Sequence, residues 1–208
     1  MDIDISKMFK EKNKEIFKEN LTLEMERNLD TLKNTTDNCV SLEINKLFLF
    51  FKSFFEENKI DYKKEELLGF LYKEKVTIND IVNTKIEEKK NNIKNNFLNN
   101  NHEEEVLSEE FLKKYFDELK KETERINDCI ELQLKEEICT NFSCEVVKKY
   151  KLDNNDQLER INSRINILFK DNIISRIKDQ IIFRDDSLKN MANESYGKYL
   201  DLTDKTVE

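Results

Sequence analysis

Four of the six arginines in this chain, Arg160, Arg164, Arg176 and Arg184, fall within one short stretch of a sequence that otherwise uses lysine for positive charge. Arginine presents a planar fork of donors suited to bidentate contact with a carboxylate or a phosphate, a geometry that a lysine ammonium cannot match. Arg160 and Arg164 lie one helical turn apart and so share a face. The plain alternative is local pairing, for instance of Arg160 with Asp156 four residues earlier. As a nucleic-acid surface the cluster lacks interleaved aromatic residues. The chain also carries a net charge of −8 with a pI near 5.1, where a general nucleic-acid binder is normally basic. Nucleic acid is therefore the lesser expectation, kept as a helical regulator using the Arg160–Arg184 segment.

Other chemistry-bearing residues are sparse or badly spaced. Gly69 and Gly197 are the only glycines, so no Gly-rich phosphate loop and no nucleophile elbow can be written. His102 is the only histidine, which rules out paired-histidine zinc and di-iron sites. Beside Glu103, Glu104 and Glu105 it reads as solvated surface. The cysteines Cys39, Cys129, Cys139 and Cys144 contain no C-x-x-C spacing and read as reduced thiols buried as small apolar groups. Asp153, Asn155 and Gln157 begin like a calcium loop, but Leu158 and Arg164 stand where glycine and glutamate are required. Carboxylate pairs are abundant, and many lie three or four residues from a lysine, as in Glu118 and Lys121, which is the spacing of exposed helix pairing. No catalytic residue, cofactor or metal is expected.

The element on which everything else must be arranged is Leu42–Phe55, which holds five of the fourteen phenylalanines. On a helix advancing about 100° per residue, Ile44, Leu47, Phe48, Phe51, Phe54 and Phe55 share one face. Leu42 and Leu49 point the other way and Phe50 sits at the margin. Leaving the main face in water would forfeit about 1.5–3 kcal/mol for each large side chain, so it must be covered. Leu42, Leu49 and Phe50, with Arg160 and Arg164, are the residues expected to meet a partner.

The rest of the chain reads as helices with three- and four-residue apolar steps. Breaks are expected at Asn34–Asn38, Asn58–Asp61, Thr140–Ser143 and Asp153–Asp156, with helix starts capped at Ser41, Thr77 and Ser108. The Thr77 start has Val76 and Ile81 placed as a staple. The first helix can divide at the polar turn after Phe9, and Gly197 suits a left-handed helix end. Ile161, Ile165, Phe169, Ile173, Ile177 and Ile181 recur strictly every four residues. On an α-helix that series rotates by about 40° per step, so it cannot hold the single seam of a two-stranded coiled coil. Either several helices surround it or it breaks near Lys170–Asn172. No repeat of fixed length is visible.

The expected fold is all-α: a bundle of about six to nine helices, without significant β-sheet and not an extended coiled coil. Asparagine-rich residues 91–101 suggest a boundary near 102. It would divide an N-terminal lobe, 1–102, holding the Phe-rich helix from a C-terminal lobe, 103–208, with two long helices. Absent proline and abundant Lys, Asn and Ile suit an AT-rich, low-GC genome. No secretory signal and no spanning segment of roughly twenty apolar residues is visible, so a cytoplasmic, reducing setting is expected. The functional expectation is a non-catalytic helical protein–protein interaction protein: an adaptor, assembly factor or inhibitor. The composition suits a phage or mobile element acting on a host or viral machine, with a protein partner or homo-oligomer. A small all-α enzyme with a site of Glu, Lys and Tyr is the alternative from another class.

Overall fold

Local periodicity decides most of the architecture. In the computed structural model, which describes residues 5–98 and 107–205, 93% of those residues are helical and none forms a strand. The elements are α1 (Ile5–Glu57), α2 (Lys64–Ile93), the π-helical segment π1 (Lys94–Leu98), α3 (Glu109–Leu134), π2 (Lys135–Phe142), α4 (Ser143–Tyr150), α5 (Asn155–Asn166), π3 (Ile167–Ile174) and α6 (Ser175–Lys205). The π segments continue their neighbours without a break. Among the described residues there are therefore four continuous helices, not the six to nine expected.

The overcount comes from expected breaks through which the helix continues, Thr140–Ser143 among them, where π2 runs directly into α4. Ser41 and Thr77, expected as N-caps, sit inside helices and donate instead to the carbonyl one turn back, Ser41 Oγ to Asp37 at 2.6 Å and Thr77 Oγ1 to Lys73 at 3.1 Å. That back-bonding satisfies the hydroxyl within a continuing helix. The Asn34–Asn38 stretch also stays helical, because Asp37 accepts from Asn79 Nδ2 at 2.7 Å and pairs with Lys75 at 3.0 Å. Val76 is consequently exposed rather than stapled. The polar turn after Phe9 does not interrupt α1, and α6 runs on past Gly197, which has no positive φ.

True ends are marked as expected at other positions. Phe111 N donates to Ser108 Oγ at 3.2 Å, and Asp156 N to Asn154 Oδ1 at 2.9 Å, two N-caps of the usual kind. The left-handed residues that close α1 and α4 are lysines, Lys59 and Lys151.

Burial recurs every eleven residues in α1, through Leu21, Leu32, Glu43 and Phe54, through Met25, Thr36 and Leu47, and through Leu29, Val40 and Phe51. In α2 the same spacing links Leu67, Ile78 and Lys89, and Leu71, Val82 and Ile93. Eleven residues make three turns with a surplus of only about 20°, so each stripe runs nearly along the axis of an ordinary helix.

The four-residue series is reconciled differently. All six of its members, from Ile161 to Ile181, are buried, and so are Ile126, Ile130, Leu134, Ile138, Phe142 and Val146. Each series passes through an eight-residue π segment. With its i→i+5 bonds a π-helix has roughly 4.4 residues per turn, so a four-residue step falls short of a turn by about 30° instead of overshooting it. The π segments thus cancel the drift that an α-helix would accumulate. The sequence Lys170–Asn172 is where π3 sits, not a break.

The chain forms two compact units, each assembled from segments on both sides of residue 102, which itself lies outside the described residues. One comprises Met1–Leu32, Glu87–Glu124 and Ile181–Glu208; within it Phe17, Leu21, Met25, Phe111, Tyr115, Leu119 and Leu188 are buried. The other comprises Lys33–Ile86 and Arg125–Gln180 and holds the Phe-rich segment. Here Phe142 of π2 lies edge-on to Phe51 and to Phe169 and stacks on Phe70 at 5.2 Å, while Phe55 meets Tyr150 at 4.4 Å.

Both glycines lie mid-helix, exposed, with no atom within 4 Å of where a Cβ would stand. Gly69→Ala and Gly197→Ala should each raise stability by roughly 0.5–1 kcal/mol through the restricted unfolded chain. Urea titration of the double variant checks this; a lower midpoint would refute it.

Candidate functional site

The Phe-rich segment turns the face expected inward: Leu47, Phe51, Phe54 and Phe55 are buried essentially completely and Ile44 nearly so. Phe48 is only half-buried. On the opposite side Leu42 is 47% and Leu49 63% exposed, and Phe50 is half-buried between them and α5.

The structure brings three of the five expected contact residues together. Phe50, Arg160 and Arg164 line a groove of about 450 Å³ with Asp156, Glu159, Ser163 and Ile167. The Arg164 guanidinium lies over the Phe50 ring, 5.8 Å from its centre, and that of Arg160 over Phe54 at 5.3 Å. Phe50 and Phe54 are themselves stacked at 5.7 Å. A cation so placed is attracted to the face of the ring.

The two arginines differ in their company. Arg160 is paired with Glu57 at 3.1 Å, across two helices, rather than with Asp156 as local spacing suggested. Among the described residues Arg164 has no carboxylate partner, and its Nε is buried without an acceptor. Leu42 and Leu49 do not line this groove. They form the ridge beside it, and Phe48, on the far side of α1, opens on a second groove of about 300 Å³ lined by Leu68, Leu71, Tyr72 and Lys75.

Three buried ionic features carry only a faint signal in the sequence. Glu43 is fully buried and held by Lys46 at 2.8 Å, Asn172 at 3.1 Å and Arg176 at 3.8 Å. Lys89 donates to both carboxylate oxygens of Asp185, at 2.6 and 2.7 Å, and Thr123 donates its hydroxyl to the same carboxylate. Burial drives the Asp185 carboxyl up and the Lys89 ammonium down, in each case against the pull of the other. Glu74 is buried with one carboxylate oxygen unpartnered, and burial, with Glu137 and Glu145 nearby, pushes it up to about 8. The available signal was a charged residue interrupting an apolar stripe: Lys89 falls between Ile86 and Ile93, and Asp185 four residues after Ile181.

None of these groups lines either groove. Among the described residues no three His, Cys, Asp or Glu side chains converge as a metal site, and no helix is long and apolar enough to cross a membrane. The thiols are less buried than expected: Cys39, Cys129 and Cys139 are half-buried and Cys144 is exposed, all four being free. His102 lies outside the described residues.

The fold defines an all-α protein of long helices. No protein-family model matches the chain, nor does any curated protein or solved structure.

Proposed function

We propose that this chain is a non-catalytic helical interaction protein, an adaptor, assembly factor or inhibitor, that binds a protein partner through the outer face of α1 around Leu42, Leu49 and Phe50. The observation that carries this is the exposure of Leu49 and Leu42 on a ridge between two apolar grooves. Contiguous apolar surface of this kind is the usual mark of a contact site, whereas single exposed leucines are not. Leu68, Tyr72 and Val76, exposed at four-residue steps along α2, extend the apolar surface beyond the second groove.

Leu49→Glu should leave helicity unchanged and stability within about 0.5 kcal/mol, because the side chain is mostly in solvent already. It should also abolish recovery of whatever protein the wild-type chain retains, measured by affinity capture and size-exclusion chromatography with light scattering. Unfolding of the variant would assign Leu49 to the core, and an undiminished complex would place the contact elsewhere.

A further inference from the structure

We infer that the occupant of this face is an acidic amphipathic helix of the partner protein, an assignment that rests on the docking role proposed above. The first observation is a local reversal of charge. The chain has 44 acidic residues in 208, about one in five, yet from Asn38 to Phe55 α1 contains one, Glu43, and it is fully buried. The exposed face of that stretch therefore offers Lys46 and Lys52 and no carboxylate.

The second observation is which cations are already engaged. Glu43 anchors Lys46 and Arg176, and Glu57 anchors Arg160. Lys52 is exposed and Arg164 faces its groove, and no carboxylate among the described residues pairs with either. A guanidinium that lines a groove without a carboxylate partner can donate through its terminal nitrogens to an incoming carboxylate, a contact worth more than a neutral hydrogen bond. Of the groove's own acids, Asp156 stands in the first turn of α5, where negative charge favours that helix's N-terminus, and Glu159 lies one turn further on.

The third observation is shape. Leu42 and Leu49, seven residues apart, form a ridge with a groove on either side. Helices pack by setting such ridges into the grooves between side chains spaced three and four apart. No strand edge exists among the described residues to pair with an extended peptide, so recognition falls to side chains. A partner helix with leucines at i, i+3 or i+4, and i+7, flanked by Glu or Asp, meets both the ridge and the two cations.

The test is selection from a displayed library of random 16-residue peptides against the full chain, with fluorescence anisotropy on the enriched sequences. The expected result is enrichment of acidic amphipathic sequences that lose binding to Leu49→Glu. They should weaken about tenfold or more against Arg164→Gln, less against Lys52→Gln, and with rising salt. Leu49-dependent peptides that carry no acid and are indifferent to Arg164→Gln would overturn the acidic occupant while leaving the docking face in place. Peptides unaffected by Leu49→Glu, or no enrichment at all, would overturn the docking face itself. Displacement of the selected peptide by a 20-nucleotide DNA duplex at low salt would reassign the cations to phosphate and overturn the proposal.

Discussion

Lys89→Met is expected to destabilise the protein by about 3 kcal/mol, because it leaves the Asp185 carboxylate, whose side chain is only 20% exposed, without its cation. Lys89 is almost fully enclosed and gives both of its short bonds to that one carboxylate. Thr123 of α3 supplies a further donor, and a hydroxyl cannot balance a full negative charge. The double variant Lys89→Met with Asp185→Leu removes both charges and should recover most of the loss, since apolar replacement of a whole buried pair is often neutral or favourable. Urea unfolding of the wild type, both single variants and the double variant closes the cycle. A coupling indistinguishable from zero would show that the pair is not buried in solution as it is here.

Glu74→Gln is expected to act in the opposite direction. The folded carboxyl sits near 8 against about 4.5 unfolded, raised first by burial and then by Glu137 and Glu145, with Lys73 only partly offsetting them. A carboxyl raised on folding binds its proton more tightly in the native state, so stability falls as pH rises from about 4.5 to about 8. By pH 7 the penalty amounts to about 3 kcal/mol, which a neutral amide of the same shape avoids. The variant should therefore match wild type near pH 4, exceed it by that amount at pH 7, and exceed it by roughly a further 1–1.5 kcal/mol at pH 9. Glu26 and Glu131 are lowered by hydrogen bonds from Lys94 and Lys178, so their contribution is lost only as pH falls below the ordinary carboxylate range, outside this window. Chemical denaturation at the three pH values decides the matter; a difference independent of pH would refute the assignment to Glu74.

The orientation of the Phe-rich segment is legible in the amino-acid sequence because helical periodicity is a property of the chain's own spacing. Leu47, Phe51, Phe54 and Phe55 point inward and Leu42 and Leu49 outward, as about 100° per residue requires. Ser108 is legible as a cap, and Asp153–Asp156 as the stretch that holds one, for a similar reason, since the bonds made by Ser108 and Asn154 are to residues three and two positions away. Ser41 and Thr77 present the same local chemistry, and here it misleads. A hydroxyl can bond forward to a free amide or back to a carbonyl, and which it does depends on whether the preceding turn is already helical. In α1 that turn is held by Asp37 meeting Asn79 and Lys75 of α2, contacts some forty residues away in sequence.

The candidate site divides along the same line. Arg164 and Phe50 can each be picked out from type and spacing, but not their contact, because they lie more than a hundred residues apart. Local spacing assigns Arg160 to Asp156 because i,i+4 makes a pair available, while Glu57 on α1 captures it in the fold. The buried ions follow suit. Lys89 and Glu43 look like two more charges in a chain full of them; Asp185 on another helix makes the burial of Lys89 tolerable, and Glu43 adds Asn172 and Arg176 from elsewhere to Lys46 on its own helix.

Sequence alone therefore determined the helical class and the inward and outward faces of the Phe-rich segment, because both follow from local spacing and the cost of wetting large apolar side chains. Tertiary structure alone decided that four helices run among the described residues where more were expected, that π2 and π3 carry the four-residue series, and that Arg164 lies over Phe50. Each of those depends on what the neighbouring helix offers, and a carbonyl, carboxylate or ring a hundred residues away leaves no mark on local spacing.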